Sequence, residues 1–301
     1  MVTAPRILVT GTTGQVGGAL WHAARSLPLT ILPADRTVLD LADHPTIGDR
    51  LDAAAPDIVV NCAAYTAVDQ AETEPERAFA VNGRGPGVVA EWCRNRGRAL
   101  IHLSTDYVFD GLANRPYRED DPIDPQNVYG ASKAEGEAAV RRACPHHVIL
   151  RTAWVYAADG KNFFRTMLRL GQERPSLDVV ADQRGGPTAA DSIALALIAI
   201  LQRMTSGPIE GIAGTYHYAD AGETTWCGFA DAIFARAEPH WGRRPAVRPI
   251  TTDQYPTPAK RPHYSVLDTA KLGATFGIAP PSWQDSLDRV VARCFAASPR
   301  E

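Results

Sequence analysis

Short, continuously apolar segments alternate with longer segments of helical periodicity along most of this sequence, and this pattern is the strongest constraint on its fold. Strands without polar alternation are covered on both faces, which is typical of parallel strands joined by crossover helices. We predict strands at 6–11, 29–32, 57–61, 99–103, 147–155 and 177–181, and helices at 14–26, 75–96 and 129–143. The pattern therefore predicts an α/β fold with a doubly wound, parallel, Rossmann-type sheet that reaches at least six strands.

The sequence changes character after residue 206, where prolines, glycines and three tryptophans (Trp226, Trp241 and Trp283) interrupt the alternation of strands and helices. A proline-rich segment follows at 255–262. We interpret this region as a smaller α/β substrate-binding domain. The predicted division is a dinucleotide-binding domain at 1–156, to which 177–205 returns, and a smaller domain formed by 157–176 and 206–301.

Composition and charge exclude several classes of protein. With 22% charged residues and a formal net charge of −3, the chain lacks the basic excess of a nucleic-acid-binding protein. Its five cysteines are scattered and never form a Cys-x-x-Cys pair, so we expect neither a disulfide framework nor a zinc site. The longest apolar run, 193–201, is shorter than the roughly 20 residues of a membrane span. We therefore expect a soluble, cytoplasmic protein without a nucleic-acid or membrane partner.

A glycine-rich turn directly follows the first predicted strand and opens the first helix. Its glycines, Gly11, Gly14 and Gly17, have the Gly-x-x-Gly-x-x-Gly spacing that is typical of short-chain dehydrogenases. At such a turn, backbone N–H groups and the positive end of the helix dipole bind the diphosphate of a dinucleotide. We predict that a nicotinamide cofactor binds here, in contact with the three glycines and with Gln15 and Val16.

The residues after the second predicted strand bear on the choice between NADH and NADPH. Asp35 lies where an acidic side chain accepts hydrogen bonds from the adenosine ribose, which favours NADH. Arg36 follows it, and a guanidinium at this place pairs with the 2′-phosphate of NADPH. The two residues favour different cofactors, so the sequence leaves the preference open. Asp40 and Leu41 are predicted to flank the adenine.

Tyr129 and Lys133 are four residues apart on a predicted helix, so that both side chains lie on one face. A phenol with a pKa near 10 needs roughly 4 kcal/mol of differential stabilisation to reach a pKa near 7, and an ammonium at about 4 Å supplies about that amount at a dielectric of roughly 20. Lys133 is therefore expected to lower the pKa of Tyr129 and to hydrogen-bond the nicotinamide ribose. Thr105 ends the fourth strand at the carboxyl edge of the sheet and completes a predicted catalytic set of Thr105, Tyr129 and Lys133.

Six segments make the chain similar to the extended short-chain dehydrogenases that act on nucleotide sugars, and among them to the dTDP-4-dehydrorhamnose reductases. Together the segments span nearly the whole chain. The resemblance implies that the C4 ketone of dTDP-4-dehydro-L-rhamnose is reduced to dTDP-L-rhamnose, with a hydride from NADH or NADPH and a proton from Tyr129. The segments are 11–17, 60–69, 104–111, 127–133, 151–156 and 255–262.

The resemblance also implies contacts with the cofactor and with the substrate, residue by residue. The loop after the third predicted strand falls where the family contacts the cofactor, and other matching positions fall where it contacts the deoxysugar. The implied cofactor contacts are Ala63, Ala64 and Thr66, and the implied substrate contacts are Val68, Thr105, Asp106, Tyr107 and Trp154.

Two candidate substrate residues have an ordinary structural explanation as well. Trp154 lies on a predicted strand, where a large aromatic side chain is equally well explained as part of the core. Arg261 offers a fork of donors suited to the substrate diphosphate, but as a single cation in a proline-rich loop it is equally well explained as solvated. Both interpretations stay open for each residue.

The chain departs from the family in the helix after the glycine-rich turn. Some members are magnesium-bridged dimers in which a glutamate of this helix supplies a ligand. Residues 17–20 read Gly-Gly-Ala-Leu and contain no carboxylate of the kind that a hard divalent cation needs. We therefore predict no metal site, no requirement for magnesium, and a monomer or weak dimer.

Two other functions fit parts of the pattern. A nucleotide-sugar 4-epimerase or 4,6-dehydratase has the same fold and retains its NAD, but a dehydratase places an acidic pair after the threonine, and here Asp106 is followed by Tyr107. A non-catalytic regulatory subunit need not keep Tyr129, whereas this chain has the complete catalytic set. The reductase is therefore the preferred hypothesis.

Overall fold

The computed structural model describes residues 4–296. The strands are β1 (Arg6–Thr10), β2 (Thr30–Ala34), β3 (Ile58–Asn61), β4 (Ala99–Thr105), β5 (His147–Thr152), β6 (Val155–Tyr156), β7 (Ser176–Val180), β8 (Arg184–Gly185), β9 (Thr188–Ala189), β10 (Gly214–His217), β11 (Thr224–Thr225) and β12 (Ala246–Ile250). The α-helices are α1 (Gln15–Ala23), α2 (His44–Ala54), α3 (Val68–Ala71), α4 (Pro75–Phe79), α5 (Gly85–Asn95), α6 (Val128–Ala143), α7 (Phe163–Glu173), α8 (Ala190–Ser206), α9 (Trp226–Trp241), α10 (Ala270–Phe276) and α11 (Trp283–Ala296). Among the helices of residues 4–296, none has the length and apolar character needed to span a membrane.

Six of the strands form one parallel sheet in the order β2-β1-β3-β4-β5-β10. The order reverses at β1, since the chain continues to β2 on one side and then to β3 on the other. In doubly wound sheets, ligands bind outside the carboxyl ends of the strands at such a switch point. The predicted doubly wound Rossmann-type sheet is confirmed, and its crevice lies beyond Thr10 of β1 and Asn61 of β3.

Both faces of this sheet are covered, which explains the continuously apolar strands. Val9 and Val60 pack with residues of α1 and α8 on one face, whereas Leu8 and Val59 pack with residues of α2, α5 and α6 on the other. All four side chains are buried. Because neither face meets water, the strands have no polar alternation.

The sixth strand of the sheet is not the one that the sequence predicted. We expected 177–181, but β7 pairs with β12 in a separate two-stranded sheet, and the sixth position is occupied by β10. The sequence of β10, Gly-Thr-Tyr-His, has no apolar run, because its buried Tyr216 and His217 meet their polar needs by hydrogen bonds with backbone carbonyl groups. The prediction was wrong because β7 is apolar for another reason: it packs against α7 and α9 in a second core.

Two predicted elements are interrupted beside the candidate site. The helix predicted at 75–96 is divided into α4 and α5 by a π turn at Ala80–Arg84. The strand predicted at 147–155 ends at Thr152 and resumes as β6 after Trp154, whose φ is +46°. Hydrophobic periodicity does not reveal either break, because the apolar pattern continues on both sides of it. Local irregularities of this kind are frequent at functional sites.

A second hydrophobic cluster lies outside the main sheet and is formed mainly by α7, α9, α11 and β7. Phe164, Phe229 and Phe234 are fully buried in it. The cluster corresponds to the smaller α/β region that the sequence indicated, although β10 belongs to the main sheet. The division into domains at the stated residues stays a prediction.

Candidate active site

The glycine-rich turn after β1 is held by close contacts that only glycine permits. Gly11 has a φ of +68°, and a Cβ atom there would lie 2.8 Å from the backbone nitrogen of Ala63. A Cβ atom on Gly17 would lie 2.3 Å from the carbonyl oxygen of Gly11. The turn therefore packs tightly against both the loop after β3 and the first turns of α1.

The N-terminus of α1 opens into a cleft of about 810 Å³. The N-cap residue is Gly14, which has no side chain to accept hydrogen bonds from the first N–H groups of the helix. The first turn also contains no acidic residue. The N–H groups and the positive dipole end are available to an anion, so this part of the structure fits the diphosphate of a dinucleotide. The predicted cofactor residues that line the cleft are Gly11, Gly14, Gln15, Val16, Gly17, Arg36, Asp40, Leu41, Ala63, Ala64, Thr66, Tyr129 and Lys133.

Asp35 is the predicted cofactor residue that does not line this cleft. Its Oδ1 accepts hydrogen bonds from the hydroxyl and the backbone N–H of Thr37 and from the N–H of Val38. These hydrogen bonds hold the pKa of Asp35 below its usual value. They also stabilise the turn after β2. Arg36, in contrast, is exposed and lines the cleft.

A buried polar network supports the loop that carries Ala63. The Thr10 hydroxyl donates to Asn61 Oδ1 at 2.6 Å and accepts from the N–H of Ala63 at 3.1 Å. The Asn61 amide contacts His102 Nδ1 at 3.1 Å. Burial, together with the charge of Lys133, lowers the pKa of His102, so this imidazole is neutral at physiological pH. The network joins β1, β3 and β4 directly behind the crevice.

Asn82 is a site-forming residue that the sequence analysis did not identify. It lies in the π turn Ala80–Arg84, is fully buried, and bonds both backbone groups of Tyr65 through its amide. The same amide donates to the hydroxyl of Ser132, directly before Lys133 on α6. Asn82 therefore connects the loop after β3 to α6. One feature of the sequence could have identified it: Asn82 lies inside an otherwise helical segment, and an asparagine side chain competes with the regular hydrogen bonds of a helix.

The start of α6 places Tyr129 in the first turn of the helix. Asn127 caps this helix by accepting the N–H of Gly130 at 2.8 Å. Glu72 accepts a further hydrogen bond from a backbone N–H of the same turn. Tyr129 and Lys133 follow one turn apart, and both line the cleft.

The phenol of Tyr129 lies against residues at the end of β4. The ring of Tyr107 meets it edge-on, with 5.6 Å between the ring centroids. Burial raises the pKa of Tyr129 above its usual value, and the hydrogen bond with Thr105 opposes this only in part. The expected lowering of this pKa by Lys133 is not seen in this structure, because the charges of Asp106 and Tyr107 raise the pKa in the same direction as burial. Tyr129 is therefore protonated at neutral pH, as a proton donor has to be.

Lys133 is buried, and its ammonium donates a hydrogen bond of 2.6 Å to the carbonyl oxygen of Leu103 in β4. Burial lowers the pKa of Lys133 to about 8, and the carboxylate of Glu137, one turn further along α6, opposes this shift. The side chain therefore keeps most of its charge at neutral pH, in a fixed position near the carboxyl end of β4.

Asp106 follows Thr105 and is buried with it. The Thr105 hydroxyl donates to Asp106 Oδ1 at 2.9 Å and accepts from the N–H of Tyr107 at 3.2 Å. The other carboxylate oxygen, Oδ2, is buried without a hydrogen-bond partner among residues 4–296. Burial raises the pKa of Asp106 to about 6. Hydrogen bonding from Ser265 and Thr105 opposes this rise in the pKa.

Arg261 reaches the same region through an ion pair. Its Nη2 lies 2.8 Å from Asp69 Oδ2, and its Nη1 lies 3.5 Å from the hydroxyl of Tyr107. The Arg261 side chain is only 19% exposed, so the solvated interpretation is wrong. The structure thus brings Arg261 together with Tyr107 and with Asp69, which follows Val68 at the start of α3.

Trp154 is half-buried in the break between β5 and β6, where it packs against the small hydrophobic cluster that contains Val108 and Phe109. Its contact with the substrate stays a prediction. Its indole stacks on Trp226, with 3.5 Å between the ring centroids. It lies two residues after Thr152, which pairs with Thr105 in the sheet. None of the predicted substrate residues lines the cofactor cleft, and among them Tyr107 directly contacts Tyr129.

Across residues 4–296, no group of three or more His, Cys, Asp or Glu side chains is arranged to hold a metal ion. The parallel sheet, the uncapped helix behind a glycine-rich turn, and the grouping of Tyr129 with Thr105 and Lys133 define a Rossmann-type, nucleotide-dependent oxidoreductase of the short-chain dehydrogenase class.

Comparison with known proteins identifies the family within this class. The chain belongs to the RmlD substrate binding domain family, whose sequence profile matches residues 5–295. A dTDP-4-dehydrorhamnose reductase of Sinorhizobium fredii is 47% identical over 286 residues, which cover 95% of this chain and 96% of that protein. The crystal structure of a dTDP-4-dehydrorhamnose reductase from Clostridium acetobutylicum matches with a TM-score of 0.89 at 36% identity, over 96% of this chain and 99% of that one. The crystal structure of a dTDP-4-dehydrorhamnose reductase from Bacillus anthracis in complex with NADP matches with a TM-score of 0.89 at 34% identity, over 96% and 99% of the two chains.

Proposed function

We propose that the chain reduces the C4 ketone of dTDP-4-dehydro-L-rhamnose to dTDP-L-rhamnose with a reduced nicotinamide dinucleotide. The observation that carries this proposal is the position of Tyr129 and Lys133 in the same crevice as the uncapped N-terminus of α1, with Thr105 at the end of the neighbouring strand β4. Two hydroxyls at this position suit the oxygen of a ketone. The relatives that bear the name of this reductase cover nearly the whole chain, which supports the same substrate.

Tyr129 is proposed as the proton donor. When bound, the reduced nicotinamide supplies the hydride that adds to C4 of the sugar. Negative charge then develops on the C4 oxygen, which becomes a far stronger base than a phenolate. Tyr129, whose raised pKa keeps it protonated, donates its proton to this oxygen, and the Thr105 hydroxyl partly offsets the rise in that pKa.

Lys133 is proposed to hold the nicotinamide ribose and to provide positive charge beside the reacting groups. Its hydrogen bond to Leu103 occupies one of the three donors of the ammonium. The remaining donors are available to ribose hydroxyls, because the residue lines the cofactor cleft. With its pKa lowered by burial to about 8, the group still carries its charge at pH 7.

The proposed sugar site is formed by the residues around the Tyr129 end of the cleft. Asp106 is proposed to accept a hydrogen bond from a sugar hydroxyl, and the half-buried Trp154 is proposed to contact the apolar part of the sugar. Val68 and Tyr107 complete this site. Arg261 is proposed to bind the diphosphate, which competes with Asp69 for the guanidinium.

The direct test is an assay of the purified protein with dTDP-4-dehydro-L-rhamnose, run in parallel with NADPH and NADH. We expect one cofactor molecule to be oxidised per sugar reduced, with dTDP-L-rhamnose identified by NMR. We also propose that EDTA leaves the rate unchanged, because α1 contains no carboxylate that would bind magnesium. Tightly retained NAD without net oxidation would indicate an epimerase or a dehydratase instead.

We further propose a preference for NADPH over NADH. Arg36 lines the cleft, whereas the Oδ1 atom of Asp35 is engaged with Thr37 and Val38. The substitution Arg36→Gln is expected to weaken NADPH binding about tenfold or more, because it removes a charge-assisted contact with the 2′-phosphate. NADH binding should change little.

Both dissociation constants can be measured by quenching of tryptophan fluorescence, without turnover. Arg50→Gln is the matched control, since Arg50 is an exposed cation of α2 outside the cleft. An equal loss of affinity for NADPH and NADH in Arg36→Gln would exclude the proposed phosphate contact.

A further inference from the structure

The backbone of Trp154 has a conformation that is unusual for a bulky residue. Its φ of +46° lies in the left-handed region, which a tryptophan enters only at an energetic cost. The neighbouring residues enforce it: Thr188 donates its N–H to the Trp154 carbonyl at 3.2 Å, and Val155 pairs with Thr188 in the β6–β9 ladder. The backbone therefore turns at Trp154, from β5 of the main sheet to β6, which pairs with β9.

One face of this indole is covered by Trp226, the first residue of α9. The two rings are parallel within 5°, and their centroids are 3.5 Å apart. Phe163 packs in turn on Trp226, with 4.6 Å between the ring centroids. Trp226 is thus held between two aromatic neighbours, and it fixes the plane of the Trp154 ring.

Gly185 of β8 lies against the same indole. A Cβ atom on Gly185 would lie 2.3 Å from Cε2, 2.5 Å from Nε1 and 2.7 Å from Cζ2 of Trp154. These distances are far below van der Waals contact, so any side chain at position 185 has to displace either the ring or β8.

The strand β8 is the less movable of the two. It pairs with β11, and the backbone of Arg184 forms hydrogen bonds with His263 and Ser265 on its other side. The β11 strand leads directly into Trp226, so Gly185 and Trp226 belong to one connected framework. A side chain at position 185 would therefore move the indole.

We propose that Gly185 is a positioning residue for the nucleotide sugar: its missing side chain allows the Trp154 indole to lie between β8 and Trp226, at the sugar end of the site. The inference rests on the proposed function, in which Trp154 contacts the deoxysugar. Trp154 follows Thr152, whose strand partner is Thr105, so a displaced indole changes the site next to the catalytic hydroxyls.

The test compares Gly185→Ala with Gly186→Ala, which adds the same methyl group one residue later. A Cβ atom on Gly186 meets its nearest neighbours at 3.6 Å, an ordinary contact, so this variant is the matched control. For Gly185→Ala we expect KM for dTDP-4-dehydro-L-rhamnose to rise about tenfold, the order expected for one altered apolar contact, with a smaller change in kcat. The dissociation constant of NADPH should be unchanged, and Gly186→Ala should behave as the parent chain.

A double-mutant cycle assigns the effect to the indole. In a Trp154→Ala background the ring is gone, so Gly185→Ala should raise KM little further. If Gly185→Ala does not fold, Trp226→Leu removes the stacked ring and leaves β8 intact, and the same direction of change in KM is expected. Additive effects in the cycle, or an unchanged KM in both Gly185→Ala and Trp226→Leu, would overturn the proposal.

Near-ultraviolet circular dichroism reports on the tryptophans without substrate. It therefore tests the positioning of the Trp154 indole separately from the proposed reductase function. A spectral change in Gly185→Ala that disappears in the Trp154→Ala background supports displacement of the indole even if the reductase assay fails with the parent chain. In that case the proposed function is wrong and the positioning of Trp154 stands. An unchanged spectrum in Gly185→Ala overturns the positioning.

Discussion

Replacement of Tyr129 by phenylalanine is expected to lower kcat about 10²- to 10⁴-fold, the range for removal of a general acid. The substitution removes only the phenol hydroxyl, so the ring can keep its edge-on contact with Tyr107. Hydride addition without a proton donor leaves charge on the C4 oxygen, which raises the barrier. The measurement is kcat from steady-state cofactor oxidation.

A suitable control for this variant is Tyr65→Phe. Tyr65 packs near Tyr129 in the same small cluster, but its hydroxyl donates to Glu74 and not to Thr105. We expect this control to keep kcat within a few-fold of the parent chain. Cofactor binding by Tyr129→Phe should be close to that of the parent chain, because the loss concerns proton transfer. Turnover by Tyr129→Phe at the parent rate would refute the assignment of the proton donor.

The second large effect is expected on stability, from the ion pair that holds α6 against β5. Glu137 and Arg151 are essentially inaccessible to solvent and form a bidentate pair with two contacts of 2.8 Å. Burial alone would raise the pKa of Glu137, but the hydrogen bonds and charge of Arg151 outweigh it and keep the pKa below its usual value. His217 contacts the same guanidinium but is neutral, because burial and Arg151 lower its pKa to about 3.

Glu137→Gln is expected to lower the free energy of unfolding by about 3–5 kcal/mol, because it leaves the buried charge of Arg151 without its counter-ion. The measurement is urea denaturation followed by circular dichroism. The double variant Glu137→Met with Arg151→Met should be more stable than Glu137→Gln, since it removes both fully buried charges and leaves only Arg141, which also pairs with Glu137 but is partly exposed.

An exposed ion pair provides the comparison. Asp178 and Arg248 also form a short pair, but their side chains are 50% and 62% exposed. Asp178→Asn is therefore expected to cost less than about 1 kcal/mol. If Glu137→Gln costs no more than Asp178→Asn, the buried pair does not stabilise the attachment of α6.

Local sequence patterns were sufficient for the parts of the fold that depend on near neighbours. The glycine spacing from Gly11 to Gly17 and the four-residue spacing of Tyr129 and Lys133 both lie within single turns or helices, and both line one cleft. Continuous apolar segments predicted β1 and β3, because a strand covered on both faces has the same signature wherever it lies in the sheet. The same signature led to the wrong placement of β7 in the main sheet, because β7 is covered by the helices of the second hydrophobic cluster.

Other properties required contacts between residues that are distant in the sequence. Asp35 and Arg36 could not be ranked from their order alone, whereas the folded turn engages the Oδ1 atom of Asp35 and leaves Arg36 in the cleft. Arg261 had two explanations until its partner Asp69, 192 residues earlier, was located. Such pairings depend on how the whole chain folds, and the periodicity of hydrophobic residues gives no information about contacts between distant segments.

The sequence by itself determined the fold class, the position of the dinucleotide site and the identity of the proposed proton donor, because these follow from periodicity and short spacings. Only the tertiary structure decided the protonation of Tyr129, since burial raises its pKa where the sequence argument expected a decrease. It also decided the place of the Trp154 indole between Gly185 and Trp226. Desolvation and close packing depend on every element around a side chain, and those neighbours come together only when the chain has folded.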